Sequence, residues 1–419
     1  MTLDPRGHQA PAVSAASPLA SRVALWSVVD SVTGSVFSTG TYLVMTWFVS
    51  GTEFGVAMLA LAVAQTLSAA VESLFLDYVV SRPELTREQL GVFHGATMLV
   101  AAILAAALVC VAPALELALG APGLGHALQA LSFIILCSGL SAVPLACLKR
   151  DLAFATLARR TVVVRILACL LGLWLAHAKA GLWAVIGQQL ALSLANTLVL
   201  LFIRPLALAQ PLQPAILRPA LSFVAGGFLP GLIAGNINRL LTFAMGFVAG
   251  PQDVAFVGMA ARILDALTFP VLGGLGQVTL PILARARARG YPIAETYRKA
   301  ATITTAIAMP VFFGLAVSAM PFTGSFLAAR WAPTGAFLTL LAVERGLRVQ
   351  CATNAALLTA LGRTPFNLKI SVVDLCTGML LLYALRAHGP RVALVGWCLK
   401  AAVYIPISTL VTAYLARIS

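Results

Sequence analysis

Charge is what this sequence has least of. Only 10% of its 419 residues are Asp, Glu, Lys or Arg, against roughly 25% in a soluble domain. So little charge cannot cover a water-facing globule, and soluble folds are excluded. Acid is scarcer still, with 14 Asp and Glu against 28 Lys and Arg. A nucleic-acid partner would need those bases gathered on a solvated face with aromatics between them; here they fall between apolar segments, so none is expected. The five histidines form no HExxH, the seven cysteines form no CxxC, and no Gly-rich phosphate loop occurs. No metal or cofactor is therefore expected, and Cys110, Cys137, Cys147, Cys169, Cys351, Cys376 and Cys398 read as small apolar residues. No soluble catalytic domain fits between the apolar segments: the longest connections are 204–219 and 282–299. Residues 1–20 lack a continuous apolar core and read as a mobile cytoplasmic tail rather than a cleaved signal.

What is abundant is apolar sequence: 60% of the residues are hydrophobic. Runs of about 20 apolar residues, enough to cross a bilayer, fall at 23–49, 56–80, 92–113, 127–147, 162–178 and 182–203. Six more follow the Pro-rich break at 204–219, at 220–248, 254–281, 300–328, 336–361, 367–387 and 392–416. Among the basic residues, Lys179, Arg330, Arg386 and Arg391 lie in odd-to-even connections, while Arg239, Arg262, Arg345, Arg348 and Lys400 lie inside spans. All other Lys and Arg, Arg165 among them, fall in the tails and even-to-odd connections. Such a bias places both termini in the cytoplasm. Trp47, Trp174, Trp183, Trp331 and Trp397 sit near the opposite ends of spans and suggest an interfacial aromatic belt.

The chain also echoes itself. "RVALWSV" (22–28) and "RPALSFV" (218–224) open the first and seventh spans, and "SGTEFGVAMLALA" (50–62) is matched by "AGPQDVAFVGMAA" (249–261). The expected fold class is an all-α polytopic membrane protein with about 12 transmembrane helices. The repeat makes two six-helix bundles, 21–203 and 220–419, related by a pseudo-two-fold axis normal to the membrane and joined by a cytoplasmic linker at 204–219.

Several connecting motifs occur together and in order: "EFGVAMLALA" (53–62), "VVSRPELTREQLGVFHGATM" (79–98), "VPLACLKRDLAFATLARR" (143–160), "GLWAVIGQQL" (181–190), "VTLPILARARARG" (278–290) and "LLTALGRT" (357–364). In these the chain resembles the Wzx-type polysaccharide flippases of the multidrug/oligosaccharidyl-lipid/polysaccharide exporter superfamily. The resemblance implies a transporter, not an enzyme. It implies movement of undecaprenyl-diphosphate-linked oligosaccharide from the cytoplasmic to the periplasmic leaflet of the bacterial inner membrane. Membrane lipids, polysaccharide polymerase and glycosyltransferases are the implied partners.

An ionisable residue inside a span is a functional candidate by default. "GNINRLLTF" (235–243) puts Asn236 and Arg239 on one helical face, after a Gly/Pro interruption at "GGFLPG" (226–231). Arg262 and Asp265 are three apart, before a second interruption at Pro270 and Gly273. Glu344 and Arg348 are one turn apart, so a salt bridge competes with function for both pairs. Arg345 points away from Glu344 and has no partner one turn away. Helix-end snorkelling competes for Arg348, Asp374 and Lys400. A guanidinium is always charged and grips phosphate oxygens bidentately. Given the implied cargo, Arg239, Arg345, Arg262 and Arg348 are the candidate diphosphate ligands. Asn236, Asn238 and Gln188 are the candidates for sugar hydroxyls, and Asp30 and Glu72 for ion coupling, unless they simply neutralise nearby arginines.

Two other readings stay open. A multidrug cation exporter of the same superfamily would present an acidic or aromatic cavity. A membrane glycosyltransferase or polymerase would need a large loop or a loop carboxylate cluster.

Overall fold

The computed structural model describes residues 33–82, 84–151, 153–205, 210–273, 279–280, 282–283, 285–287 and 290–416. Asp30 lies outside them. The described chain is all helical rods: α1 over 33–45, α2 Gly51–Ser73, α3 Leu76–Val80, α4 Arg87–Leu119, α5 Leu124–Arg150, α6 Phe154–His177 and α7 Leu182–Ile203. After the segment at 204–213 come α8 Pro214–Met245, α9 Pro251–Thr268, α10 Ile293–Phe326, α11 Thr334–Ala360, α12 Thr364–Ala384 and α13 Pro390–Ala416. Among the described residues, nine stretches are long and apolar enough to cross a membrane. This is an all-α, multi-pass membrane protein.

Local chemistry fixes the helix ends. Ser50 and Glu53 form a capping box at α2, and Thr86 and Gln89 form another at α4. Gly120, at φ 56°, closes α4 in the left-handed conformation that suits glycine. Pro214 starts α8 in the first turn, where its missing N–H costs nothing. The helix therefore begins inside the stretch read as linker.

Interruptions differ from those read in the sequence. α8 runs unbroken through "GGFLPG", whereas α9 does give way near Pro270, to a π-helical turn at Phe269–Gly273. The second span is broken between α2 and α3, around Leu74 and Phe75.

α2 lies at the centre, packed against α5, α7, α8 and α9. The two similar stretches 50–62 and 249–261 lie side by side. A Cβ on Gly55 would overlap the Pro251 carbonyl oxygen, and Gly258 packs on Met58. At this end of α2 the chain is closed by Arg330 and Trp331. Arg330 Nη2 donates to the carbonyls of Thr46 (2.8 Å) and Val49 (3.0 Å), and Trp331 Nε1 donates to Thr46 (3.1 Å). The Trp331 ring meets Phe54 and Phe256 edge to face, with centroids 5.0 and 5.8 Å away.

Trp331 is thus no interfacial residue: it and Trp397 are fully buried, while Trp47, Trp174 and Trp183 are exposed. Buried polar contacts explain both exceptions, since Trp397 lies under the ammonium of Lys400. The cysteines are all free, with Cys137, Cys147 and Cys169 buried.

Candidate functional site

Toward the other end of α2, Gln65, Ser68, Ala69 and Glu72 line one helical face at the i, i+3, i+4, i+7 spacing. They form one wall of a central cavity of about 520 Å³. α1 adds Gly34, Ser35, Ser38 and Thr39, α5 adds Ser138, α6 adds Arg165, and α7 adds Gln189 and Ser193. From beyond the 204–213 segment, α8 supplies Arg239 and α9 supplies Arg262 and Asp265. Three guanidiniums and two carboxylates therefore meet in one space.

Neutral groups hold the two C-terminal guanidiniums. Arg239 Nε donates to Gln65 Oε1 (3.1 Å), and its Nη1 donates to Asn236 Oδ1. Arg262 lies over the Tyr42 ring, its Cζ 3.9 Å from the centroid, and its Nε points to Met58 Sδ at 3.3 Å. The carboxylates have neutral partners too: Ser138 Oγ donates to Glu72 (3.0 Å), and Asn238 Nδ2 donates to Asp265 (2.5 Å). Among the described residues, no salt bridge joins Arg239 or Arg262 to Glu72 or Asp265. The i, i+3 pairing of Arg262 with Asp265 does not form, because stacking on Tyr42 aims the guanidinium elsewhere. Charge held by amides, a ring face and a thioether is not neutralised, and it is available to an anion entering the cavity.

Arg165, which its sequence position groups with the loop residues, lines the cavity from within α6. Room for it comes from Gly34, where a Cβ would overlap its guanidinium. Gln188, the expected sugar ligand, does not line the cavity. Gln188 is buried, donates to Cys169 Sγ (3.5 Å) and packs on Gly172, while its neighbour Gln189 faces the cavity. Asn236 is also buried, with Nδ2 on the Leu232 carbonyl (2.8 Å); it aims Arg239 rather than lining the space.

Arg348 is not in the central cavity. It pairs with Glu344 on its own helix and with Asp374 on α12 (2.5 Å). Lys400 on α13 completes the group, its Nζ 3.1 Å from Asp374 Oδ1 and 2.9 Å from the Asp374 carbonyl, over the Trp397 ring. Two bases and two acids cancel in this buried quartet. Arg348 and Arg345 both line a separate cavity of about 210 Å³ among α8, α11, α12 and α13. Arg345 finds across helices the partner it lacks along its own: Nη2 donates to Asn238 Oδ1 at 2.8 Å. Asn238 thereby stands between Arg345 and Asp265, accepting from one and donating to the other.

A family described as polysaccharide biosynthesis protein matches residues 44–335, more than half the chain. The succinoglycan biosynthesis transport protein ExoT of Rhizobium meliloti is 23% identical over 354 residues, covering 81% of this chain and 68% of that protein. The fold is similar to that of the lipid II flippase MurJ in an inward closed conformation, with a TM-score of 0.73, 14% identity and coverage of 95% and 87% of the two chains. It is also similar to an inward-facing multidrug resistance MATE family transporter of the MOP superfamily, with a TM-score of 0.67, 17% identity and 94% coverage of both chains. The chain belongs to the polysaccharide biosynthesis protein family, and its fold is that of the MOP-superfamily transporter and the lipid II flippase to which it is similar.

Proposed function

We propose that the protein moves an undecaprenyl-diphosphate-linked oligosaccharide from the cytoplasmic to the periplasmic leaflet, for exopolysaccharide or O-antigen synthesis. The transport engine is two six-helix halves, twelve spans in all, with both termini cytoplasmic. Glycosyltransferases would supply the cargo and a polysaccharide polymerase would consume it. The observation that carries the reading is the set of cavity guanidiniums held by neutral groups. A diphosphate crossing hydrocarbon needs compensating charge, and Arg239 and Arg262 are placed to supply it, with Arg165 opposite and Arg345 one residue behind, across Asn238. Gln65, Gln189 and the serines of the cavity wall suit sugar hydroxyls.

Alternating access requires a closure that can open. The Arg330–Trp331 contact with Thr46 and Val49 suits that role at the periplasmic end, because it joins segments of opposite halves through a few hydrogen bonds. Glu72, bonded to Ser138 inside the cavity, is the carboxylate best placed for ion coupling among the described residues.

Glu72 and Asp265 also favour a second reading, export of an organic cation. Deleting the gene separates the two. Loss of surface polysaccharide, restored by the intact gene and accompanied by cytoplasmic-leaflet accumulation of lipid-linked glycan, supports the flippase. Unchanged polysaccharide with raised sensitivity to cationic dyes supports the exporter.

A further inference from the structure

A second large cavity, about 760 Å³, lies away from the central one, between the first turns of α4, the last turns of α5 and the segment that follows α7. Its polar rim carries Arg87, Arg204 and the carboxylate of Glu88, and its apolar wall is Leu90, Val143, Pro144 and Cys147. His94 also lines it; this side chain is buried, and its Nδ1 has no hydrogen-bond partner among the described residues. The roof is strapped down. Gln210 N donates to the Gly91 carbonyl at 3.1 Å, Gly95 lies so close beneath that a Cβ would meet the Gln210 oxygen at 2.7 Å, and Gln213 Nε2 donates to Glu88 (3.3 Å). Arg204 is further tied to Asp151 at 2.7 Å, an exposed pair that leaves its outer face to solvent.

The geometry points to a binding site for an anionic phospholipid of the cytoplasmic leaflet. The cavity lies at the Lys/Arg-rich ends of the helices, where headgroups sit under the proposed orientation. Guanidiniums above an apolar wall match a phosphate above acyl chains, and basic recesses between helices on the cytoplasmic side suit such headgroups. A lipid here would brace the one covalent connection between α7 and α8, which gives the site a mechanical consequence. The inference shares the proposed orientation but does not depend on the cargo.

The test uses the full chain in detergent micelles, with the unfolding temperature followed while short-chain phosphatidylglycerol is added. Short-chain phosphatidylcholine and glycerol 3-phosphate serve as separate arms. The expected result is a saturable upward shift with phosphatidylglycerol alone. It should weaken about 25- to 30-fold in apparent affinity in Arg87→Gln/Arg204→Gln, from about fivefold per guanidinium. Asp151→Asn should keep the shift, because it breaks the salt bridge but retains the charge of Arg204. Equal shifts with phosphatidylcholine, or an unchanged affinity in the double variant, would overturn the site. An equal response to glycerol 3-phosphate would reassign it to a soluble phosphate, and loss of the shift in Asp151→Asn would reduce Arg204 to a structural role; either outcome overturns the lipid assignment.

Discussion

Among the helices that follow residue 334, Arg348 and Lys400 share Glu344 and Asp374, and the four charges cancel within the bundle. In the central cavity, Arg239 and Arg262 rest on amides, a tyrosine ring and a thioether, with Glu72 and Asp265 in the same space but not in contact with them. Both regions place guanidiniums where hydrocarbon surrounds the protein, and both bear the insertion cost of such groups. They differ in what offsets it. In the first region the partner is a carboxylate and the charge is consumed by the structure. In the second the partners are neutral and the structure leaves the charge uncancelled. Burial of an arginine in a membrane protein is therefore a poor guide to function by itself; the identity of its partner separates the two cases.

Removing one arginine from the cavity and one acid from the quartet should affect the two regions in opposite ways. Arg239→Ala should reduce transport about 100-fold, the scale expected when a ligand's buried charge is left without its counter-charge, while membrane protein levels stay normal. Arg239→Lys should restore only part of it, because an ammonium cannot grip phosphate bidentately. Asp374→Ala should do the reverse, leaving Arg348 and Lys400 short of a partner and destabilising the fold by about 3–5 kcal/mol. Thermal unfolding in detergent would report that destabilisation, with transport falling only in proportion to folded protein. If the two variants behave alike, the distinction between the regions fails.

Arg330→Ala tests the closure at the far end of α2. Removing two charge-assisted hydrogen bonds to backbone carbonyls, each worth about 1.5–3 kcal/mol, should shift the conformational balance at least about 100-fold. A cysteine introduced at Val49, buried beside the contact, should then react faster with a membrane-impermeant maleimide. Gly34→Ala is the mildest probe. Alanine gains about 1 kcal/mol of helix propensity over glycine, so stability should hold or rise. Transport should nevertheless fall severalfold as the Arg165 guanidinium is displaced.

Hydropathy makes the membrane class and most spans legible, because lipid imposes a length and a composition on every crossing helix. Arg239 and Arg262 are legible for the same reason: a charge inside a span stands out. Contacts between helices are not. Spacing along α11 identifies the Glu344–Arg348 pair, yet nothing in it can reveal Asn238 as the partner of Arg345 or Asp374 as the second partner of Arg348. Arg165 is hidden by the cluster of Arg159 and Arg160 before it, which reads as a cytoplasmic loop although all three lie on α6. Gln188 and Gln189 are adjacent, so a rotation of about 100° decides which one reaches the cavity. Trp331 sits at a span end like the other tryptophans, and only its contacts with Thr46, Phe54 and Phe256 distinguish it.

The central claim, that the neutral-partnered guanidiniums receive the diphosphate, is tested most directly by equilibrium binding of a short-chain polyprenyl diphosphate to the purified full chain. Arg239→Ala/Arg262→Ala should bind it at least about tenfold more weakly than the unaltered protein at the same unfolding temperature. Equal affinity in the two proteins would contradict the account.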